Sequence, residues 1–234
     1  MIKNRLLIAG GAGNIGRPLF DTLVGKENIT ILVNNSKPLN ENFITLNLLD
    51  FEKTTKFVLE SEKYNILIFL VGLAHKKGKK SDFEEFNNLN FMTLKNLTDA
   101  FVKYDKVPSK IIFASTISIY GERISINSYT ENISCKPRTP YAITKLKAEN
   151  YLRKNFDSKY WILRLAPVYS SVFKLNIDRR TKIAGKNFLV GDGNVKLSLC
   201  HQNNIISVIE SIIQGEISFG TYNLSDRKIY TYKF

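Results

Sequence analysis

Near the N-terminus the strand-like run "RLLIA" at residues 5–9 breaks directly into "GGAGNIGR", and residues 15–24 then carry helical spacing. A buried strand that turns at once into a helix through Gly10, Gly13 and Gly16 restricts the fold more than any other feature. Glycine permits the tight turn and a close backbone approach. The helix start beyond it leaves N–H groups without intrahelical partners, which favours a pyrophosphate. Set after the first strand of a βαβ unit, this G-x-x-G-x-x-G loop points to a bound dinucleotide, with Asn14 and Ile15 inside the same loop.

The rest of the chain repeats the alternation. Strand-like runs fall at residues 29–33, 43–46, 65–71, 110–115 and 160–165. Helical patterns lie at 15–24, within "LLDFEKTTKFVLES", at 83–104 and at 140–155, the last with Pro140 in its first turn. The long helix at 83–104 takes its apolar face from Phe86, Leu89, Phe91, Leu94, Leu97 and Phe101. Strands separated by helices imply a doubly wound parallel sheet of the α/β class, covered on both faces. After Pro167 the rhythm changes to short strands and one helix. The reading is a dinucleotide-binding domain at 1–166 and a small substrate lobe at 167–234.

Composition narrows the function. Hydrophobic residues make up 44% and charged residues 24% of the 234, as in soluble globular proteins. The longest apolar run, "ILIFLVGLA", falls well short of the about 20 residues a membrane helix needs. No secretory h-region opens the chain, so a cytoplasmic protein is expected. Cys135 and Cys200 form no CxxC pair, and His75 and His201 lack a second ligand at metal-site spacing, so no metal is expected. The formal net charge is +13. Its densest cluster, at residues 76–80, reads either as a solvated loop or as a mouth for anionic ligands. No alternation of aromatic and basic residues supports nucleic-acid binding.

At the end of the second strand, "ILVNNSK" places Asn34 where an acidic residue would grip a ribose 2′-hydroxyl. An amide does not repel a phosphate, and Lys37 and Arg17 are close in sequence, so the reading is NAD or NADP with a lean to NADP. Further on, "KIIF" runs into "ASTISIYG", and "PYAITKLKAEN" follows. Tyr141 and Lys145 are four apart and share a helix face. An ammonium beside a phenol favours the ionised form, so a lowered Tyr141 pKa is expected. Such a tyrosine exchanges a proton with a carbinol or ketone oxygen, and Thr116 on the adjacent strand is placed to polarise it.

With the glycine loop, "ASTISIYG" and "YAITK" in place, the chain resembles the extended short-chain dehydrogenase/reductase family, the NAD(P)-dependent epimerases and dehydratases of nucleotide sugars. "NLLD", "FLVGLAH", "LNFMTLKNL", "LRLAPVY", "FLVGDG" and "YNLSD" extend the resemblance over nearly the whole chain. It implies Thr116, Tyr141 and Lys145 as the catalytic set, with Ser115 as the competing hydroxyl at the substrate. It implies adenine contacts near Asn47, Leu48 and Asp50, a groove lined by Leu70, Val71 and Gly72, and Pro167 and Val168 facing the nicotinamide. Asn176 would touch the substrate diphosphate, and Lys196 stands where the family often has an arginine.

The family's 4,6-dehydratases carry an Asp-Glu pair after the threonine. Here Ile117 and Ser118 follow, and neither supplies a carboxyl, so dehydration is disfavoured. A 4-epimerase or a 4-ketosugar reductase is the expectation, in the supply of sugars for cell-surface polysaccharide. The alternative is a non-catalytic NAD(P)-binding regulator. The resemblance also implies a homodimer through the helices at 86–104 and 141–155. Relatives usually continue past the "YNLSD" region, whereas this chain ends at Phe234, so a shortened substrate lobe is expected.

Overall fold

The structure, a computed structural model, describes residues 3–34, 40–74, 83–121, 128–183, 186–188 and 192–232. In chain order the first half runs β1 (Arg5–Ala9), α1 (Gly16–Leu23), β2 (Asn28–Val33), β3 (Phe43–Thr45), α2 (Phe51–Glu60), β4 (Ile66–Phe69), α3 (Phe83–Asn87), α4 (Thr93–Lys103) and β5 (Lys110–Thr116). The second half runs α5 (Pro140–Asn155), β6 (Tyr160–Leu165), β7 (Val168–Tyr169), α6 (Leu175–Thr181), β8 (Lys182–Ile183), β9 (Lys186–Asn187), β10 (Lys196–Leu197), β11 (Cys200–His201), α7 (Gln202–Gln214), β12 (Gly220–Leu224) and β13 (Tyr230–Thr231).

Seven parallel strands form one sheet in the order β12-β6-β5-β4-β1-β2-β3. This is the Rossmann-like doubly wound arrangement that the alternation implies. The central strands β1 and β4 are almost wholly apolar and buried because both faces are covered. Along β1, Leu6 and Ile8 face the layer holding α1 and α7, and Leu7 and Ala9 face the layer holding α2, α4 and α5. The strand order reverses between β1 and β4, which opens a crevice beyond their carboxyl ends.

The structure departs from the sequence reading in two places. The helix read over 83–104 is interrupted by a π-helical turn at Asn88–Met92. That widened turn buries Asn90, whose Oδ1 accepts the Leu73 N–H at 2.7 Å and whose amide donates to Thr144 Oγ1 at 3.2 Å. Second, two elements of the stretch after 167 belong to the main layers. β12 pairs with β6 at the sheet edge, and α7 packs on the same core face as α1.

Part of the positive charge is structural. Lys106 Nζ donates to the carbonyls of Val58, Leu59 and Ser61 at the end of α2, and Lys110 Nζ to those of Ile212 and Ile213 at the end of α7. Both lysines satisfy orphan carbonyls at the negative end of a helix dipole. Among the described residues no helix is long and apolar enough to cross a membrane.

Candidate active site

The glycine loop lies at the carboxyl end of β1. Gly10 has φ +87°, and a Cβ there would sit 2.9 Å from the Val71 nitrogen, so only glycine fits. At Gly16 a Cβ would lie 2.5 Å from the Gly11 Cα, because α1 starts tight against the loop. At Gly13 the nearest neighbour would be the Gly10 carbonyl at 3.4 Å, which leaves that face of the loop open. No side chain caps the start of α1. A bare helix N-terminus beside an open glycine loop is what a pyrophosphate requires.

Beside the loop, a small pocket of about 110 Å³ is lined by Asn34, Asn47, Leu48, Val71 and Leu89, among others. It is largely apolar and fits the flat ring expected of an adenine. Asp50, read as close to that ring, instead caps α2 by accepting the Lys53 N–H at 3.0 Å. That bond holds its carboxyl below the usual carboxylate range. Arg17 is exposed and pairs with Asp21 at 3.4 Å. Lys37 and the cluster at 76–80 lie outside the described residues.

On the other side of Gly10 a cleft of about 780 Å³ opens. Its lining includes Gly10, Gly13, Asn14, Ile15 and Gly16, Leu70 and Gly72, Ser115, Thr116, Tyr141 and Lys145, Pro167 and Val168, and Asn176, Arg179, Arg180 and Tyr232. Residues that the sequence reading assigns to cofactor, reacting carbon and substrate thus line one cavity. Lys196 is not among the lining residues. It is exposed on β10, which pairs with β13.

Thr116 ends β5, and its Oγ1 accepts the Ser118 N–H at 3.2 Å as the short turn at Ile117–Tyr120 begins, with Ser118 also lining the cleft. Tyr141 and Lys145 come from the first two turns of α5, whose N-terminus Thr139 caps. Lys145 is 3% exposed, and its Nζ donates to the carbonyls of Ala114 at 2.9 Å and Val71 at 3.2 Å. Gly72 makes room for it, since a Cβ there would be 3.0 Å from Nζ. Burial pulls the Lys145 ammonium down to about 7, with Glu149 acting in the opposite sense. Burial also raises the Tyr141 phenol, and a hydrogen bond with the Thr116 side chain offsets only part of this. The expected lowering by Lys145 is therefore reversed. Desolvation outweighs the Coulomb effect, and the described partners of the ammonium are main-chain carbonyls.

The Ser115 hydroxyl lines the same cleft but donates to Glu149 Oε1, so it is engaged below the site. Glu149 is fully buried and also accepts from Arg164 Nη2 at 2.9 Å and Arg153 Nη2 at 2.7 Å. Arg164 in turn donates to the Tyr120 hydroxyl at 2.6 Å, which donates to Asn223 Oδ1 at 2.8 Å. This network ties β5, α5, β6 and β12 together beneath Thr116. One signal for it is visible in the chain: Glu149 stands four residues after Lys145, on the same helix face.

A parallel sheet with a glycine loop at its switch point, beside a helix presenting Tyr-x-x-x-Lys, defines a Rossmann-type protein of the extended short-chain class. The profile of the NAD dependent epimerase/dehydratase family matches residues 6–224, and the chain belongs to that family. It is 28% identical over 186 residues to the dTDP-4-dehydro-6-deoxyglucose reductase of Escherichia coli, covering 71% of this chain and 56% of that protein. It is 26% identical over 187 residues to the uncharacterized UDP-glucose epimerase YtcB of Bacillus subtilis (strain 168), covering 70% and 57%. The chain thus spans little more than half the length of these two relatives. Among solved structures, the Bordetella bronchiseptica enzyme WbmG in complex with NAD and UDP superposes with a TM-score of 0.79. Its identity is 18%, over 99% of this chain and 76% of that one, a likeness of fold.

Proposed function

We propose that the protein is an NAD(P)-dependent nucleotide-sugar epimerase or 4-ketosugar reductase that moves a hydride at a sugar carbon. The observation that carries this reading is the make-up of the cleft. It holds Thr116, Tyr141 and Lys145 together with the glycine loop and two arginines, and no Asp or Glu is among its described lining residues. Elimination of water calls for a carboxyl acid or base at the sugar, and Ile117 and Ser118 follow Thr116 without one, so hydride transfer alone is the reading favoured. The E. coli relative named as a reductase and the B. subtilis relative named as an epimerase fall on the two branches that remain.

A nicotinamide cofactor, when bound, supplies the hydride acceptor and donor. The chain supplies the rest. The glycine loop and the start of α1 hold the pyrophosphate, and the small pocket at Asn47 and Leu48 takes the adenine. Asn34 at its rim carries no charge to repel a 2′-phosphate, so NADP remains the favoured form. Thr116 holds the reacting sugar oxygen through its hydroxyl. Tyr141, whose phenol keeps its proton in this buried setting, gives that proton to a carbonyl oxygen and recovers it from a carbinol. Lys145 is held over Gly72 to meet a ribose hydroxyl. Exposed Val102 on α4 and Ile143 on α5 leave apolar surface for a homodimer in the same reading. Use in polysaccharide sugar synthesis belongs to it as well.

The test is Tyr141→Phe, assayed against UDP-, GDP- and dTDP-sugars and their 4-keto forms with NADH and NADPH. Turnover is expected to fall by about 10²- to 10⁴-fold with dinucleotide affinity unchanged. A wild-type protein that binds dinucleotide but turns over none of these substrates would favour the non-catalytic regulator.

A further inference from the structure

We propose that Ser118 is the outer member of a proton relay that returns a proton to Tyr141 after each reduction of a ketosugar. The inference rests on the hydride-transfer reading and deepens its reductase branch. Reducing a ketone to a carbinol consumes a hydride and a proton, and the Tyr141 phenol has a single proton to give. That proton must be replaced from water before the next turnover. An epimerase has no such need, because the proton taken from the carbinol returns to the ketone made from it. A route between Tyr141 and solvent therefore serves net reduction.

The cleft contains such a route. The Thr116 side chain hydrogen-bonds the Tyr141 phenol in the sense that favours its ionised form, so Thr116 can donate to a phenolate. Thr116 Oγ1 also donates to Ser118 Oγ at 3.2 Å and accepts the Ser118 N–H at 3.2 Å. Ser118 is the one exposed hydroxyl among the described residues that line the cleft. Two other proton carriers of the lining are turned elsewhere, Ser115 to Glu149 Oε1 and Lys145 Nζ to the carbonyls of Ala114 and Val71. While a ketone is bound, the Thr116 hydroxyl meets its oxygen. After the carbinol leaves, the Tyr141 phenolate takes the Thr116 proton, Thr116 takes that of Ser118, and Ser118 takes one from a hydronium ion in the cleft. Each hydroxyl can turn, since it is both donor and acceptor. Every O–H bond that breaks is matched by one that forms, and the net change is one proton drawn from solvent.

Ser118→Ala removes the outer hydroxyl but keeps the N–H that fixes Thr116 Oγ1, so the rest of the site stays in place. At an exposed position neither Ala nor Thr threatens the fold. Wild type, Ser118→Ala and Ser118→Thr are compared in the reduction of UDP-, GDP- and dTDP-4-ketosugars by NADH and NADPH, in H2O and in D2O. Ser118→Ala is expected to lower kcat by about 10- to 100-fold with KM and dinucleotide affinity unchanged, a smaller loss than removal of the acid itself. Its solvent deuterium isotope effect on kcat should exceed that of wild type, because proton return becomes the slow step, and Ser118→Thr should recover most of kcat. A kcat for Ser118→Ala within about 2-fold of wild type overturns the proposal. A loss in kcat with the isotope effect unchanged also overturns it, as does a loss in KM alone, which would make Ser118 a sugar contact. A wild type that interconverts epimers without net reduction overturns the relay and keeps the hydride-transfer reading. A wild type that turns over no nucleotide sugar overturns that reading and the relay with it.

Discussion

Replacing Glu149 with glutamine tests whether the buried network beneath Thr116 holds this fold together. Glu149 is fully buried and Arg164 is 3% exposed, so neither can return to water without unfolding. The carboxylate is met by Arg164 Nε at 3.3 Å and Nη2 at 2.9 Å, by Arg153 Nη2 at 2.7 Å, and by the Ser115 hydroxyl. Glutamine keeps the shape and its carbonyl oxygen still accepts from Ser115, but it removes the counter-charge and leaves Arg164 as a buried cation among neutral acceptors such as Tyr120 and the Glu131 carbonyl. Removing one partner of such a pair costs about 3–5 kcal/mol. With an unfolding entropy of about 2.1 cal/mol/K per residue, a chain of this length should lose about 6–10 °C in Tm. Thermal unfolding followed by circular dichroism measures this. The double variant Glu149→Leu with Arg164→Leu removes both charges and should recover most of the loss, since apolar replacements of buried pairs are often neutral. A loss under about 1 kcal/mol in Glu149→Gln, or a double variant no better than the single one, would refute the reasoning.

Gly16→Ala would place a Cβ 2.5 Å from the Gly11 Cα and 2.6 Å from the Gly10 carbonyl, both backbone atoms that can yield only by moving the loop. Dinucleotide affinity should fall at least about 10-fold by calorimetry, alongside a stability loss of about 1–3 kcal/mol. Lys145 binds its proton near pH 7 when folded and near 10.5 when unfolded. Between those values the unfolded chain holds more protons, so this residue makes stability rise with pH, by up to about 1.4 kcal/mol per unit. Urea unfolding at pH 7.5 and 9.5 without dinucleotide should show a steeper rise for wild type than for Lys145→Met, and parallel slopes would contradict the buried ammonium.

What could be read in the chain beforehand follows the range of the interactions. β1 to β6 were legible because short β-branched runs between helical patterns leave one arrangement open, and Gly10 and Gly16 because backbone closeness admits no other residue. Tyr141 and Lys145 were legible because spacing of four fixes a shared helix face. Glu149 has that spacing too, but a charged residue on a helix reads as solvated until the partner cation is placed, and Arg164 lies on a strand fifteen residues away. The π turn hid within a continuous apolar pattern, since one widened turn barely disturbs the period on either side. β12 and Tyr232 depend on where the chain returns after Pro167, and no local pattern encodes that return. The reversed sign at Tyr141 has a different origin. Spacing predicts that an ammonium is near, but not how much water either group keeps. Burial affects both charged forms at once, so the same closure that brings the pair together keeps the proton on Tyr141 and loosens the one on Lys145. Under the proposed reaction, a phenol that holds its proton is the form that donates to a ketone oxygen, and an ionised phenol is the form that would take a proton from a carbinol.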